Sequence, residues 1–98
     1  MSRSRPILYI KRGCPWCRQA KAFFDQNGVD IDVKDVERSP ANMQRMIEIS
    51  EQSLTPTLEF DDFVVADFSV NELLAELDER PDVRHKLGIG GGEDGEFP

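Results

Sequence analysis

Cys14 and Cys17 are the only cysteines in a chain of 98 residues, and they stand three apart in the stretch "GCPWCRQAKAFF". A lone pair at that spacing can exchange with disulfides, sense redox state or hold a metal. In a reducing compartment it is not expected to act as a structural staple. A structural zinc site takes about four ligands, and beyond the pair the chain offers only His85, near its far end. The ligand count therefore speaks against zinc and for thiol chemistry. Only a thiolate attacks a disulfide, and an ordinary thiol with a pKa of ~8.5 is mostly protonated near neutral pH. Whatever positions Cys14 must also favour its negative charge.

The residues that follow supply a positioning element. From Pro15 onward, Cys17, Ala20, Phe23 and Phe24 recur at helical spacing, Pro15 suits the first helical turn, and "QNG" ends the run at Gly28. Cys14 then sits at a helix N-terminus, where free backbone N–H groups and the helix dipole favour an anion. Lys11, Arg12, Arg18 and Lys21 add to the same field, so the Cys14 thiol is expected to titrate below its ordinary range. Cys17 lies one turn further in, on the core-facing stripe. This asymmetry assigns attack to Cys14 and resolution of the mixed disulfide to Cys17.

Around that helix the chain alternates strand and helix. "RPILYI" reads as a buried first strand, and "VDIDVKDV" as a second with Val29, Ile31 and Val33 on one face. "SPANMQRMIEIS" reads as a helix capped by Ser39, with Pro40 in its first turn and Met43, Met46 and Ile47 on its core stripe. "TLEF" and "FVVA" read as two strands joined by a tight Asp61-Asp62 turn. A last helix follows, opened by a Ser69/Glu72 capping box, facing the sheet with Val70, Leu73, Leu74 and Leu77, and stopped by Pro81. "DVRHKL" adds a turn. The expected organisation is one domain over residues 1–87 and a flexible Gly- and acid-rich tail over 88–98.

The formal charge is -7, yet residues 1–24 carry six Lys or Arg and no acid, while all 19 acids lie from Asp25 onward. The cysteine segment is thus a basic island in an acidic chain, unless the clustering is fortuitous. One local patch is not the broad basic surface that nucleic acid requires, so no nucleic-acid partner is expected. No run of residues reaches the ~18 apolar positions of a membrane span, and "PILYI" is too short for a secretory core. A cytoplasmic monomer with no membrane partner is the expectation.

The order βαβ then αββα, with C-x-x-C between the first strand and first helix, resembles the thioredoxin superfamily and, within it, the glutaredoxins. "YIKRGCPWC", the "LTP" before the third strand, and the strand–turn–strand followed by a capped helix carry the resemblance, over roughly residues 6 to 80. It implies an α/β thioredoxin-like fold, a four-stranded mixed sheet flanked by three or more helices in the order βαβαββα. It further implies that Pro56 is cis and faces the cysteines, and that Thr55 offers its backbone N–H and C=O to an extended substrate. Without the resemblance, the residues read Pro56 as a trans, strand-opening proline.

By the same resemblance glutathione is the co-substrate. Lys11 matches the lysine that precedes the motif, Pro15 and Trp16 fill the motif, and Gln52 matches a polar residue that contacts the glycine carboxylate of glutathione. One segment departs from the pattern. Ala66 and Asp67 stand where Gly-Gly is usual, followed by Phe68 and Ser69, so an acid and a bulky ring meet the γ-glutamyl end of an anionic ligand. Two readings stand side by side for Phe68 and Ser69: ligand contacts, or a core residue and a helix cap. An iron–sulfur cluster shared between subunits occurs among glutaredoxin relatives, but Pro15 resembles the dithiol enzymes that do not usually hold one, so no metal is expected. The leading expectation is a glutathione-dependent oxidoreductase acting on protein disulfides or glutathionylated proteins. The alternatives are a redoxin of the same shape reduced by thioredoxin reductase, and a non-catalytic binding or metal-carrier module.

Overall fold

A computed structural model describes residues 5–89. Its elements run β1 (Ile7–Ile10), α1 (Pro15–Gln26), β2 (Asp32–Asp35), α2 (Pro40–Ser50), β3 (Thr57–Phe60), β4 (Phe63–Ala66), α3 (Val70–Asp78) and α4 (Pro81–Leu87). The sheet order is β2-β1-β3-β4. Strand β1 pairs parallel with β2 and antiparallel with β3, and β3 pairs antiparallel with β4, so the sheet is mixed as the element order requires. The two-residue turn between β3 and β4 puts Asp61 at φ +53°, which an aspartate tolerates better than most side chains.

Alternation along β1 sorts the core into two layers. Leu8 points to one face, where it meets Ala20 and Phe24 of α1, Leu73 and Leu77 of α3, and Val83 and Leu87 of α4. Tyr9 points to the other, where it meets Val36 and Met46 under α2. Leu8, Phe24, Leu58, Leu73 and Leu77 are wholly buried, and truncating one such leucine to alanine costs about 2–5 kcal/mol. Tyr9 donates to Glu59 Oε1 at 2.8 Å, and Arg45 holds the other carboxylate oxygen at 2.7 Å. Burial, then the bond to Glu59, pushes the phenol up to about 12.

Several boundaries differ from the sequence reading. Strand β2 covers only Asp32–Asp35, and although Val29 is buried, Val33 is 39% exposed, because β2 is a sheet edge that the helices do not fully cover. On α2, Ile47 is 43% exposed, and Ile49 packs with Met43 and Met46 in its place. The segment after Pro81 is a seven-residue helix that buries Val83 and Leu87, making four helices among the described residues. Gly88 caps it at φ +77° and Ile89 is buried in the core, so the packed domain extends two residues into the stretch read as tail. Residues 90–98 of that stretch lie outside the described residues. Among the described residues, no helix is long and apolar enough to cross a membrane.

Candidate active site

The path from sequence to site starts at β1. The strand ends at Ile10, the chain turns through Gly13 at φ +71°, and Cys14 becomes the N-cap of α1 with extended backbone, followed by Pro15 in the first turn. The Cys14 sulfur accepts from the Cys17 backbone N–H at 3.2 Å, in the place a serine or aspartate oxygen would take at an ordinary cap. The first turn of α1 contains no acid. Lys11 is half-exposed, and Arg12, Arg18 and Lys21 are exposed. None of the four has an ion-pair partner among the described residues.

Cys14 and Cys17 are joined as a disulfide, with Cα atoms 5.2 Å apart. The two sulfurs are not equivalent. Cys14 is half-buried, while Cys17 is 2% exposed and sits on the core stripe with Ala20 and Phe24. An incoming disulfide can reach Cys14 first, and Cys17 only through the Cys14 adduct.

Across from the pair stands the loop that opens β3. The Thr55-Pro56 bond is cis. Thr55 Oγ1 donates to the Cys14 sulfur at 3.7 Å, and the Thr55 carbonyl oxygen lies 3.9 Å from it. The Thr55 N–H has no acceptor among the described residues, which leaves both a main-chain donor and an acceptor beside the reactive sulfur. The following Pro56 carbonyl accepts from Asp67 N–H at 2.8 Å, tying this loop to the segment between β4 and α3.

That segment forms one wall of a shallow groove of about 400 Å³, lined by Trp16, Asp67, Phe68, Ser69 and Glu72. Trp16 is 52% exposed and lines the groove from α1, one residue from Pro15, which is also exposed. Asp67 is exposed at φ +53°, a left-handed conformation that glycine adopts freely, so the backbone keeps a glycine-like shape at a position occupied by an acid. Phe68 is 2% exposed and belongs to the core cluster that includes Leu73, so its ring is buried even though the residue borders the groove. Ser69 caps α3: its Oγ accepts from Glu72 N–H at 3.2 Å, and its own N–H donates to Glu72 Oε1 at 2.8 Å. For Phe68 and Ser69 the side chains therefore serve the core and the cap.

Of the sequence-predicted binding residues, Lys11, Pro15, Gln52, Thr55 and Pro56 are not among those lining this groove. Gln52 spends its amide on its own loop, accepting from Leu54 N–H at 2.7 Å and donating towards Ser50 Oγ, Leu54 O and Thr57 Oγ1 at 2.8, 3.2 and 3.1 Å. The sequence reading missed the second acid of the groove, Glu72, because it was legible only as the partner of a cap. It also passed over Leu54, 49% exposed immediately before Thr55, whose only signal is a large apolar residue in a polar loop. Among the described residues, no group of three or more His, Cys, Asp and Glu is arranged to hold a metal ion.

The glutaredoxin family profile matches residues 7–65. Over 54 residues the chain is 30% identical to Glutaredoxin 3 of Escherichia coli (strain K12), a match covering 55% of this chain and 65% of that protein, just under two thirds of its length. A solved thioredoxin-like protein superposes with a TM-score of 0.67 at 30% identity, covering 74% of this chain and 100% of the other. The NrdH-redoxin of Escherichia coli, described as a glutaredoxin-like protein with a thioredoxin-like activity profile, superposes at 0.62 over 97% of this chain and 100% of its own. At 19% identity that likeness speaks for a common fold alone. With more than half of its length matched and its cysteine pair placed where a helix begins after the first strand, the chain belongs to the glutaredoxin family and is a thiol–disulfide oxidoreductase.

Proposed function

We propose that the protein reduces disulfide bonds in other proteins by dithiol exchange, with Cys14 as the attacking and Cys17 as the resolving thiol. The observation that carries this reading is the unequal burial of the two sulfurs beside the open main-chain groups of Thr55. The reduced enzyme presents a Cys14 thiolate at the N-terminus of α1. It attacks one sulfur of the substrate disulfide, forming a Cys14–substrate disulfide and expelling the other substrate sulfur as a thiolate. The Cys17 thiolate then attacks the Cys14 sulfur, closing the Cys14–Cys17 disulfide and releasing the second substrate thiol. Two electrons pass to the substrate, and an external reductant must return the Cys14–Cys17 disulfide to the dithiol. Thr55 docks an extended substrate segment through its backbone, which suits disulfides of varied sequence. Trp16 supplies an aromatic wall.

Family membership favours glutathione as that reductant and glutathionylated proteins as further substrates. Two glutathione molecules would return the pair to dithiol and leave as glutathione disulfide. One observation favours the second reading, reduction by thioredoxin reductase. The groove beside Trp16 carries the Asp67 and Glu72 carboxylates, and Glu72 already occupies the Ser69 N–H that could otherwise face an anionic ligand. Both readings keep the dithiol and differ only in the donor.

Parallel coupled assays decide between them, one with glutathione and glutathione reductase, the other with thioredoxin reductase. Cys17→Ser sharpens the result. With glutathione as donor, the variant keeps activity on a glutathionylated substrate and loses it on a protein disulfide; with thioredoxin reductase as donor, it loses both. A wild-type protein inert towards protein disulfides in both assays would refute the proposal.

A further inference from the structure

We propose that the rim around Cys14 is two-sided in charge and docks a partner protein in one orientation: an acidic flank of the partner's disulfide lies along the outer side of α1, and a basic flank lies in the groove between Trp16 and the start of α3. Helical geometry separates the two sides. At ~100° per residue, Arg18 and Lys21 stand roughly 140–160° round α1 from Trp16. Cys17, Ala20 and Phe24, all buried, fill the arc between them and turn the helix to the core. Trp16 therefore lines the groove with Asp67 and Glu72, while Arg18 and Lys21 are exposed on the far side, one and two turns along from Cys14. Arg12 is exposed in the loop that leads into the helix.

The charges on each side are unspent. Among the described residues, no ion pair involves Arg12, Arg18 or Lys21 on one side, or Asp67 or Glu72 on the other. Asp25 is the one acid within α1, and it lies about 10 Å along the axis from Arg18, away from Cys14. The formal charge of the whole chain is -7, which opposes an acidic partner at long range. At physiological salt that repulsion is screened beyond about 8 Å, so a partner in contact answers to the local flank. Thr55 lies between Cys14, whose sulfur is 3.7 Å from its hydroxyl, and the segment between β4 and α3, to which Pro56 is tied by the Asp67 N–H at 2.8 Å. A segment docked on the Thr55 backbone has one flank on each side of the sulfur, and its direction decides which charge meets which side.

The docking face serves the reduction of protein disulfides proposed above and rests on that reading. Its test uses reduced full-length protein and two synthetic peptides of identical composition: a cyclic disulfide core with three glutamates on its N-terminal side and three lysines on its C-terminal side, and the same core with the flanks exchanged. Reduction by dithiothreitol fixes the intrinsic ratio of the two, by which the ratio of the protein's rate constants is divided. One order should react about fivefold faster at ~20 mM salt, and the preference should fall to within about 1.5-fold at ~0.5 M. Arg18→Glu with Lys21→Glu should abolish or reverse it. Any change to the Cys14 thiolate in that variant affects both peptides alike and leaves the ratio untouched. Arg12→Glu carries the same test, with a smaller shift, if the double variant does not fold. Equal rates on the two peptides overturn the proposal, and so does a preference that survives high salt or the charge reversals, which would assign it to shape. Sedimentation showing a low-salt dimer of the wild type that the double variant dissolves would give the basic side to a second acidic copy of this chain, and would overturn the proposal as well. A wild type that reduces neither peptide nor insulin overturns the function and the docking face together, whereas one that reduces insulin without distinguishing the peptides overturns the docking face alone.

Discussion

Two helix N-termini border the same groove and treat their positive ends in opposite ways. At α1 the cap is a sulfur, the first turn has no acid, and the nearby cations Lys11, Arg12, Arg18 and Lys21 are without ion-pair partners among the described residues. At α3 the cap is Ser69, and Glu72 closes a reciprocal box that satisfies two backbone N–H groups. The second arrangement is the usual one, in which unpaired amides and the dipole are quenched locally for about 0.5–2 kcal/mol of stability. The first leaves that field to act on a side chain that can leave its resting state. A terminus left unquenched can favour a reactive anion; one that is quenched cannot.

The largest effect expected from this contrast is at Cys14. Cys14→Ser should fall to background on every disulfide, since a hydroxyl cannot take part in the exchange, while retaining a hydroxyl that can cap the helix. Its melting temperature under reducing conditions should stay within a few degrees of wild type, and turnover above background would move the nucleophile elsewhere. A companion measurement is the pH dependence of Cys14 alkylation in Cys17→Ser. Its midpoint should lie below the ~8.5 of an ordinary thiol, and a midpoint at or above that value would contradict the assigned role of the α1 terminus.

At the other terminus the expected effects are smaller and separable. Glu72→Gln can keep the cap hydrogen bond while removing the charge, and Glu72→Ala removes both. If the acid repels glutathione, both should lower the KM for glutathione several-fold at low ionic strength, and the gain should shrink with added salt. An effect in Glu72→Ala only would mean that the occupied Ser69 N–H, and not the charge, is what matters. Replacing Asp67 by glycine should act in the same direction and also relieve the left-handed backbone there. Ser69→Ala should cost about 1 kcal/mol in urea unfolding and leave the Cys14 alkylation profile unchanged. A shift of that profile would show that the two termini are coupled.

The smallest expected effect concerns the opposite face of the sheet. The Tyr9 phenol is raised from 10.0 to about 12 by burial and by its bond to Glu59. A group whose folded pKa lies above its unfolded value contributes stability that is present below the unfolded pKa and lost as pH rises through the folded one. Stability should therefore decline between about pH 10 and pH 12, and Tyr9→Phe should flatten that part of the curve. An unchanged slope in Tyr9→Phe would assign the alkaline loss to other groups.

Much of this contrast was legible in the residues because both caps are local. Cys14 with Pro15 and Cys17, and Ser69 with Glu72, act within one turn of helix, so their spacing along the chain is also their spacing in space. The element order was legible for a similar reason, since alternation and helical spacing report which neighbours share a face. Burial itself was less legible. Val33 and Ile47 carry the right period and remain exposed, while Ile49 and Ile89 are covered, because coverage depends on which element lies overhead and not on the residue's own pattern.

By itself the sequence determined the dithiol, its place at a helix N-terminus, and the two caps, since backbone sterics and i to i+3 contacts settle these before any long-range packing. Only the tertiary structure decided that Thr55, 41 residues away, meets Cys14, that Phe68 turns into the core, and that Gln52 bonds within its own loop. Those outcomes depend on how β3 is laid against β1 and how α2 and α3 pack on opposite faces of the sheet. Contacts between residues far apart in sequence are set by that assembly, and no short window of the chain contains it.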